Sequence, residues 1–181
     1  MSVDTRPSLW YIKNEVIFIK ILVFSDSHGR ASNIIEAIEK HPNCSLVIFL
    51  GDGLRDIAYA EDKFPDITFF KVKGNCDLVA GDTPKEAILD LDGIKVLITH
   101  GDKYHVKYGL ATILYAGAEK EVDAILFGHT HLPVELCEYV ADKRIQLFNP
   151  GSIGACGTYG VINTANGILV TNIAKLYPEK P

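Results

Sequence analysis

The feature that most restricts this chain is a repeated junction: a short apolar run, then glycine beside a residue with a lone pair to donate. The runs at 16–24, 46–50, 67–72, 94–99 and 124–127 are rich in Ile, Val, Leu and Phe. They are continuous rather than alternating, which predicts strands buried on both faces. Between the first two, Ile34, Ile35 and Ile38 share a helical face, with Asn33 as the expected cap and Glu36 three residues on. Residues 56–64 and 110–119 read as further helices. Asp92-Gly93, between apolar segments at 87–91 and 94–99, predicts a hairpin. After Pro133 only strand patterns remain, at 134–140, 145–148, 158–163 and 168–173. An α/β first half and a β-rich second half predict two sheets with helices on their outer faces.

Composition narrows the class. The chain has 181 residues, 48% of them apolar, and 18 basic against 23 acidic side chains give a formal charge of −5. That suits one soluble core rather than a disordered chain, and the acidic balance makes nucleic acid an improbable general partner. No run reaches the roughly 20 apolar residues of a membrane span, so no membrane partner is expected. Residues 16–24 are interrupted by Lys20 and lack the marks of a signal peptide. The four cysteines include no C-x-x-C pair and resemble neither a disulfide scaffold nor a zinc ribbon, which points to a reducing cytoplasm. Residues 1–15 carry no periodicity and read as an N-terminal extension, leaving 16–181 as a single domain.

The five junctions are Ser25-Asp26-Ser27-His28-Gly29, Gly51-Asp52-Gly53, Gly74-Asn75-Cys76-Asp77, His100-Gly101-Asp102 and Gly128-His129-Thr130-His131. Taken singly, several of these are ordinary turn sequences. Together they deliver carboxylate, amide and imidazole donors to the carboxyl ends of strands, where α/β sheets place their sites. That mixture suits borderline divalent metals such as Mn, Fe, Co, Ni or Zn. Asp26/His28 and His129/His131 are i, i+2 pairs, which point to opposite faces of a regular strand. The chain must therefore leave the extended conformation there, and Gly29 and Gly128 are expected to supply the freedom.

The ordered set, over residues 20–173, resembles the calcineurin-like metallophosphoesterase superfamily. Gly-Asn-Cys-Asp and Asn149-Pro150-Gly151-Ser152 are most similar to its small prokaryotic phosphodiesterase branch. The resemblance implies an α/β fold, a four-layer α/β/β/α sandwich of two mixed sheets flanked by helices. It implies two divalent ions, manganese favoured with Ni, Fe, Co or Zn as alternatives. One ion takes Asp26, His28, Asp52 and His131, and the other takes Asp52, Asn75, His100 and His129. Asp52, Asn75 and His100 are the expected catalytic residues. The expected reaction is phosphoester hydrolysis, most simply of a small phosphodiester, by in-line attack of a hydroxide bridging the two metals. Two such ions outweigh the charge of Asp26, Asp52 and one hydroxide, leaving a cleft that welcomes phosphate.

The chain also departs from the family pattern. Cys76 stands where larger members carry a histidine, so the thiol is a weaker proton donor, and a small residue beside a ligand is its simpler role. Asp77 is expected to support a ligand rather than react. His100-Gly101-Asp102 replaces a frequent His-Gly-His, and no basic residue follows Ser152 closely. Arg55, Lys103 and His105 are the candidates to replace the missing phosphate contacts, Tyr104 and Tyr108 could flank a pocket, and Asn149 and Ser152 could shape its rim. Two alternatives stay open: a non-catalytic metal-binding scaffold like the retromer subunit of this fold, and a phosphomonoesterase or nuclease using the same residues. A homo-oligomer is compatible with either.

Overall fold

The computed structural model describes residues 19–177. Expectations for the N-terminal extension and for residues 16–18 lie outside that range. The elements run in the order β1 (Ile19–Phe24), α1 (Ala31–Glu39), β2 (Leu46–Phe49), α2 (Leu54–Lys63), β3 (Thr68–Lys71), β4 (Glu86–Leu91) and β5 (Ile94–Thr99). After them come α3 (Ala111–Glu119), β6 (Ala124–Leu126), β7 (Pro133–Val140), β8 (Lys143–Pro150), β9 (Thr158–Ala165) and β10 (Ile168–Lys175). They form two mixed five-stranded sheets, ordered β10-β9-β1-β2-β3 and β4-β5-β6-β8-β7.

Strand alternation builds the layers. Ile21, Val23, Ile48, Val96, Ile98 and Leu126 point into the core between the sheets. Their neighbours Leu22, Phe24, Val47 and Phe49 face α1 and α2. On the second sheet, Leu97, Ile125 and Leu147 face Ile113 of α3. Each central strand thus meets apolar partners on both faces, which explains their unbroken apolar runs; β3, expected to be buried, instead lies at the sheet edge with Thr68 and Phe70 exposed. The four layers are α/β/β/α.

The sheets do not divide between the halves of the chain. β9 pairs antiparallel with β1, Ile21 opposite Ile162, and so returns to the first sheet. β8 instead runs parallel to β6, Leu147 opposite Ile125. The Asp92-Gly93 hairpin forms as expected, with Leu91 opposite Ile94 and Glu86 opposite Thr99. Asn33 does not cap α1. The helix begins two residues earlier, Arg30 precedes it without a side-chain cap, and the Asn33 amide donates to the Ile153 carbonyl at 2.8 Å. The expected cap is spent on tying α1 to the loop after β8.

Candidate metal centre

The ends of β1, β2, β3, β5, β6 and β8 meet at one edge of the sandwich, and backbone hydrogen bonds stitch their loops together. Asp26 N–H donates to Gly51 O at 3.0 Å, His28 N–H to Asp52 O at 3.1 Å, and Gly128 N–H to His100 O at 3.0 Å. The second sheet reaches the first through His100, whose Nδ1–H donates to the Leu50 carbonyl at 2.8 Å. That bond fixes the tautomer and leaves the His100 Nε2 lone pair free to bind.

Six of the seven expected ligands converge in two groups. Asp26, His28 and His131 form one, and Asp52, His100 and His129 the other, with donor atoms within each group lying within 4.8 Å of one another. His28 Nε2 and His131 Nε2 are 3.2 Å apart, and His131 Nε2 is 3.1 Å from Asp26 Oδ1. In the second group, His100 Nε2 lies 3.1 Å from His129 Nδ1 and 3.4 Å from Asp52 Oδ2. The same Asp52 oxygen is 3.9 Å from His28 Nε2 and so stands between the groups. Asn75 is on the adjoining turn, exposed, and its amide donates to Cys76 Sγ at 3.3 Å.

The donor set fits a divalent cation on its own terms. Asp26 is fully buried, and its Oδ1 receives no hydrogen bond among the described residues. Its other oxygen accepts from the Ser25 hydroxyl at 2.5 Å and from His129 N–H at 3.0 Å. A buried carboxylate oxygen aimed at two imidazole nitrogens without a donor is costly, and a bound cation would satisfy it.

The bend that brings each i, i+2 pair together is carried by the ligands themselves. Asp26, His28, Asp52, His129 and His131 have φ of +55°, +43°, +59°, +68° and +61°. Gly128, expected to supply that freedom, does not have positive φ. It is needed for room instead: a Cβ there would sit 1.9 Å from Ser25 Oγ.

The charges around the groups pull in definite directions. Burial alone would raise the Asp52 pKa, but His100 and the Cys76 N–H hold it well below the usual carboxylate range. Burial would lower that of His100, yet Asp52 and Asp26 raise it overall. His129 moves down, through its own burial and the nearby positive charges of His100 and Lys107. Partial desolvation and the facing Asp52 carboxylate push the Cys76 thiol up to about 11, so it stays protonated at neutral pH.

A second set of residues holds the ligand loops: Asp77, expected as a support, Asn149 and Ser152, expected at a rim, and Asp56, which the sequence did not mark for this role. The Asp77 carboxylate accepts four backbone N–H groups: Asp52 at 2.8 Å and Gly53, Leu54 and Gly74 each at 2.9 Å. It therefore caps α2, which starts two residues before the expected Asp56. Asp56 itself accepts the Ser27 hydroxyl at 2.6 Å and Gly29 N–H at 2.8 Å, fixing the His28 turn. Its place four residues after Asp52 was the only sequence hint. Asn149 donates to Gly128 O at 2.9 Å and Thr130 Oγ1 at 3.1 Å, and the Ser152 hydroxyl donates to Asp26 O at 2.8 Å. Both are buried braces of the ligand loops rather than a rim. Lys103 lies 3.2 Å from Glu86, and buried Tyr104 donates to the same carboxylate at 2.5 Å, so both are engaged away from the ligands. His105 closes a short helical turn, and Tyr108 is exposed beyond it.

A family model described as the calcineurin-like phosphoesterase superfamily domain matches residues 19–167. The chain belongs to the calcineurin-like phosphoesterase superfamily. Within this superfamily it is 34% identical over 137 residues to the probable metallophosphoesterase YsnB of Bacillus subtilis, covering 75% of each chain. It is 30% identical over 168 residues to the phosphodiesterase MJ0936 of Methanocaldococcus jannaschii, covering 81% of this chain and 93% of that one. Among solved calcineurin-like structures, a predicted phosphoesterase from Streptococcus pneumoniae TIGR4 superposes with a TM-score of 0.73 at 25% identity. That superposition covers 88% of this chain and 91% of the other. The superfamily is metal-dependent, and the residues gathered at the sheet edge are its candidate metal ligands.

Proposed function

We propose that this chain is a phosphodiesterase acting on a small phosphoester, with two divalent ions, manganese favoured, held by its seven ligands. In this reading Asp26, His28 and His131 serve one ion, Asn75, His100 and His129 the other, and Asp52 both. The observation that carries it is the position of Asp52 Oδ2, 3.4 Å from a nitrogen of one group and 3.9 Å from a nitrogen of the other. When bound, such ions supply Lewis acidity to the phosphoryl oxygens and generate hydroxide near neutral pH.

The chain's own residues supply the rest. Leu50 O orients His100, and the Cys76 N–H, donating to Asp52 Oδ1 at 2.7 Å, orients Asp52. As a neutral donor, Asn75 keeps the site's positive excess, which a third carboxylate would cancel. The Cys76 thiol is a weaker general acid than the histidine that larger family members carry there, so esters with good leaving groups should react fastest.

Metal analysis of the purified protein, followed by a screen of chromogenic mono- and diesters against Mn, Ni, Co, Fe and Zn, tests this. Asp52→Ala is expected to lose bound metal and turnover together. A variant that kept both would overturn the reading. Metal bound without turnover of any ester would favour the scaffold alternative.

A further inference from the structure

Beside the ligand groups lies a cavity of about 570 Å³ whose lining includes His28, Asp52, Leu54, Arg55, Leu78 and Val79. Two further carboxylates reach it: Asp77 accepts four backbone N–H groups, and Asp56 Oδ2 accepts from Ser27 and Gly29. The guanidinium in this lining, that of Arg55, has no ion pair or hydrogen bond among the described residues. Two lysines near the same edge are committed, Lys103 to Glu86 at 3.2 Å and Lys85 to Asp102 at 3.6 Å.

The apolar part of the lining is equally unusual. Leu78 and Val79 are consecutive aliphatic residues, 91% and 97% exposed, on the turn that follows Asp77. Adjoining exposed aliphatics at a ligand cluster mark a surface that gains by being covered. An unpaired guanidinium in the same lining suits an anionic group, because its planar fork binds phosphate or carboxylate through paired hydrogen bonds.

We infer that this cavity is the subsite for one ester arm of the substrate, and that Arg55 selects arms bearing a second anionic group on an apolar body. The inference rests on the phosphodiesterase reading and sharpens it. The preferred class is a phosphodiester with a further phosphate or carboxylate on one arm, as in a nucleoside bisphosphate ester. Arg55 is thus a specificity-determining residue, and Leu78 and Val79 cover the apolar part of the arm.

Two chromogenic substrates isolate the point: the p-nitrophenyl ester of thymidine 5′-phosphate, and the same ester carrying a 3′-phosphate. Metal-loaded wild type is expected to favour the second in kcat/KM by about tenfold, or about 1.4 kcal/mol. Arg55→Ala should abolish that ratio, and Arg55→Lys should restore part of it. Equilibrium binding of thymidine 3′,5′-bisphosphate to the metal-loaded protein, by calorimetry, should weaken by the same factor in Arg55→Ala. Equal kcat/KM for both esters in wild type, or a ratio unchanged in Arg55→Ala, overturns the inference while leaving the phosphodiesterase reading intact. If no ester turns over, the phosphodiesterase reading fails. Calorimetry then decides on Arg55 alone, and bisphosphate binding that is absent or indifferent to Arg55→Ala overturns its role.

Discussion

Asp77→Asn exchanges one carboxylate oxygen for an NH2 group and should unlock the turn that carries Asp52. Both carboxylate oxygens are used twice, Oδ2 by Asp52 and Gly74 and Oδ1 by Gly53 and Leu54, at 2.8 to 2.9 Å. An amide offers one oxygen, so whichever way it turns, two backbone N–H groups face an NH2 group instead of an acceptor. Leaving a partly buried donor unsatisfied costs about 1–3 kcal/mol, so two cost about 2–4 kcal/mol after some admission of water. For a domain of this size each kcal/mol moves Tm by about 2–4 °C. The variant should therefore melt about 4–16 °C below wild type in the presence of a chelator, and urea unfolding should give the matching free energy. Divalent metal should bind about 10–100-fold more weakly, because the Asp52 backbone is no longer held. A melting temperature within 1 °C of wild type, with unchanged metal affinity, would refute the idea that Asp77 organises this edge.

Two further predictions concern other parts of the fold. A Cβ at Gly74 would lie 2.1 Å from Asp52 Oδ1 and 2.7 Å from Asp52 N, so Gly74→Ala must move backbone as well as side chain. It should cost about 1–3 kcal/mol, measured by urea unfolding, and reduce bound metal. For Glu86, burial alone would raise the pKa, but the Tyr104 hydroxyl and Lys103 and Lys120 hold it down overall. Its contribution is therefore present above the ordinary carboxylate value of about 4.3 and is lost as pH falls through the lowered folded value. Glu86→Gln should flatten that acid limb in a Tm-against-pH series; an unchanged limb would assign it to other carboxylates.

The ligand positions were legible because the pattern that marks a buried strand stops where the ligand begins. Asp26, Asp52, His100 and His129 each follow an apolar run across a glycine or a single polar residue, so local sequence carries the signal. The alternation of Ile21 and Val23 with Leu22 and Phe24 likewise announces a strand covered on both sides. Asp77 was marked as a support, but the bonds that hold the ligand loops were not legible. Asp77 meets Leu54 across 23 positions, Asn149 meets Gly128 across 21, and Ser152 meets Asp26 across 126. No local period encodes such bonds.

By itself, then, the sequence determined which residues could donate to a metal and that each would stand at a strand's end. Burial preference and strand geometry act over a few residues and are written in order along the chain. Only the tertiary structure decided that β9 joins β1, that α2 is capped by Asp77, and that Gly128 is needed for room rather than rotation. It also left Arg55 unpaired while engaging Lys103. Those outcomes depend on which atoms the packed sheets bring within hydrogen-bonding distance, and that is settled only once the layers close.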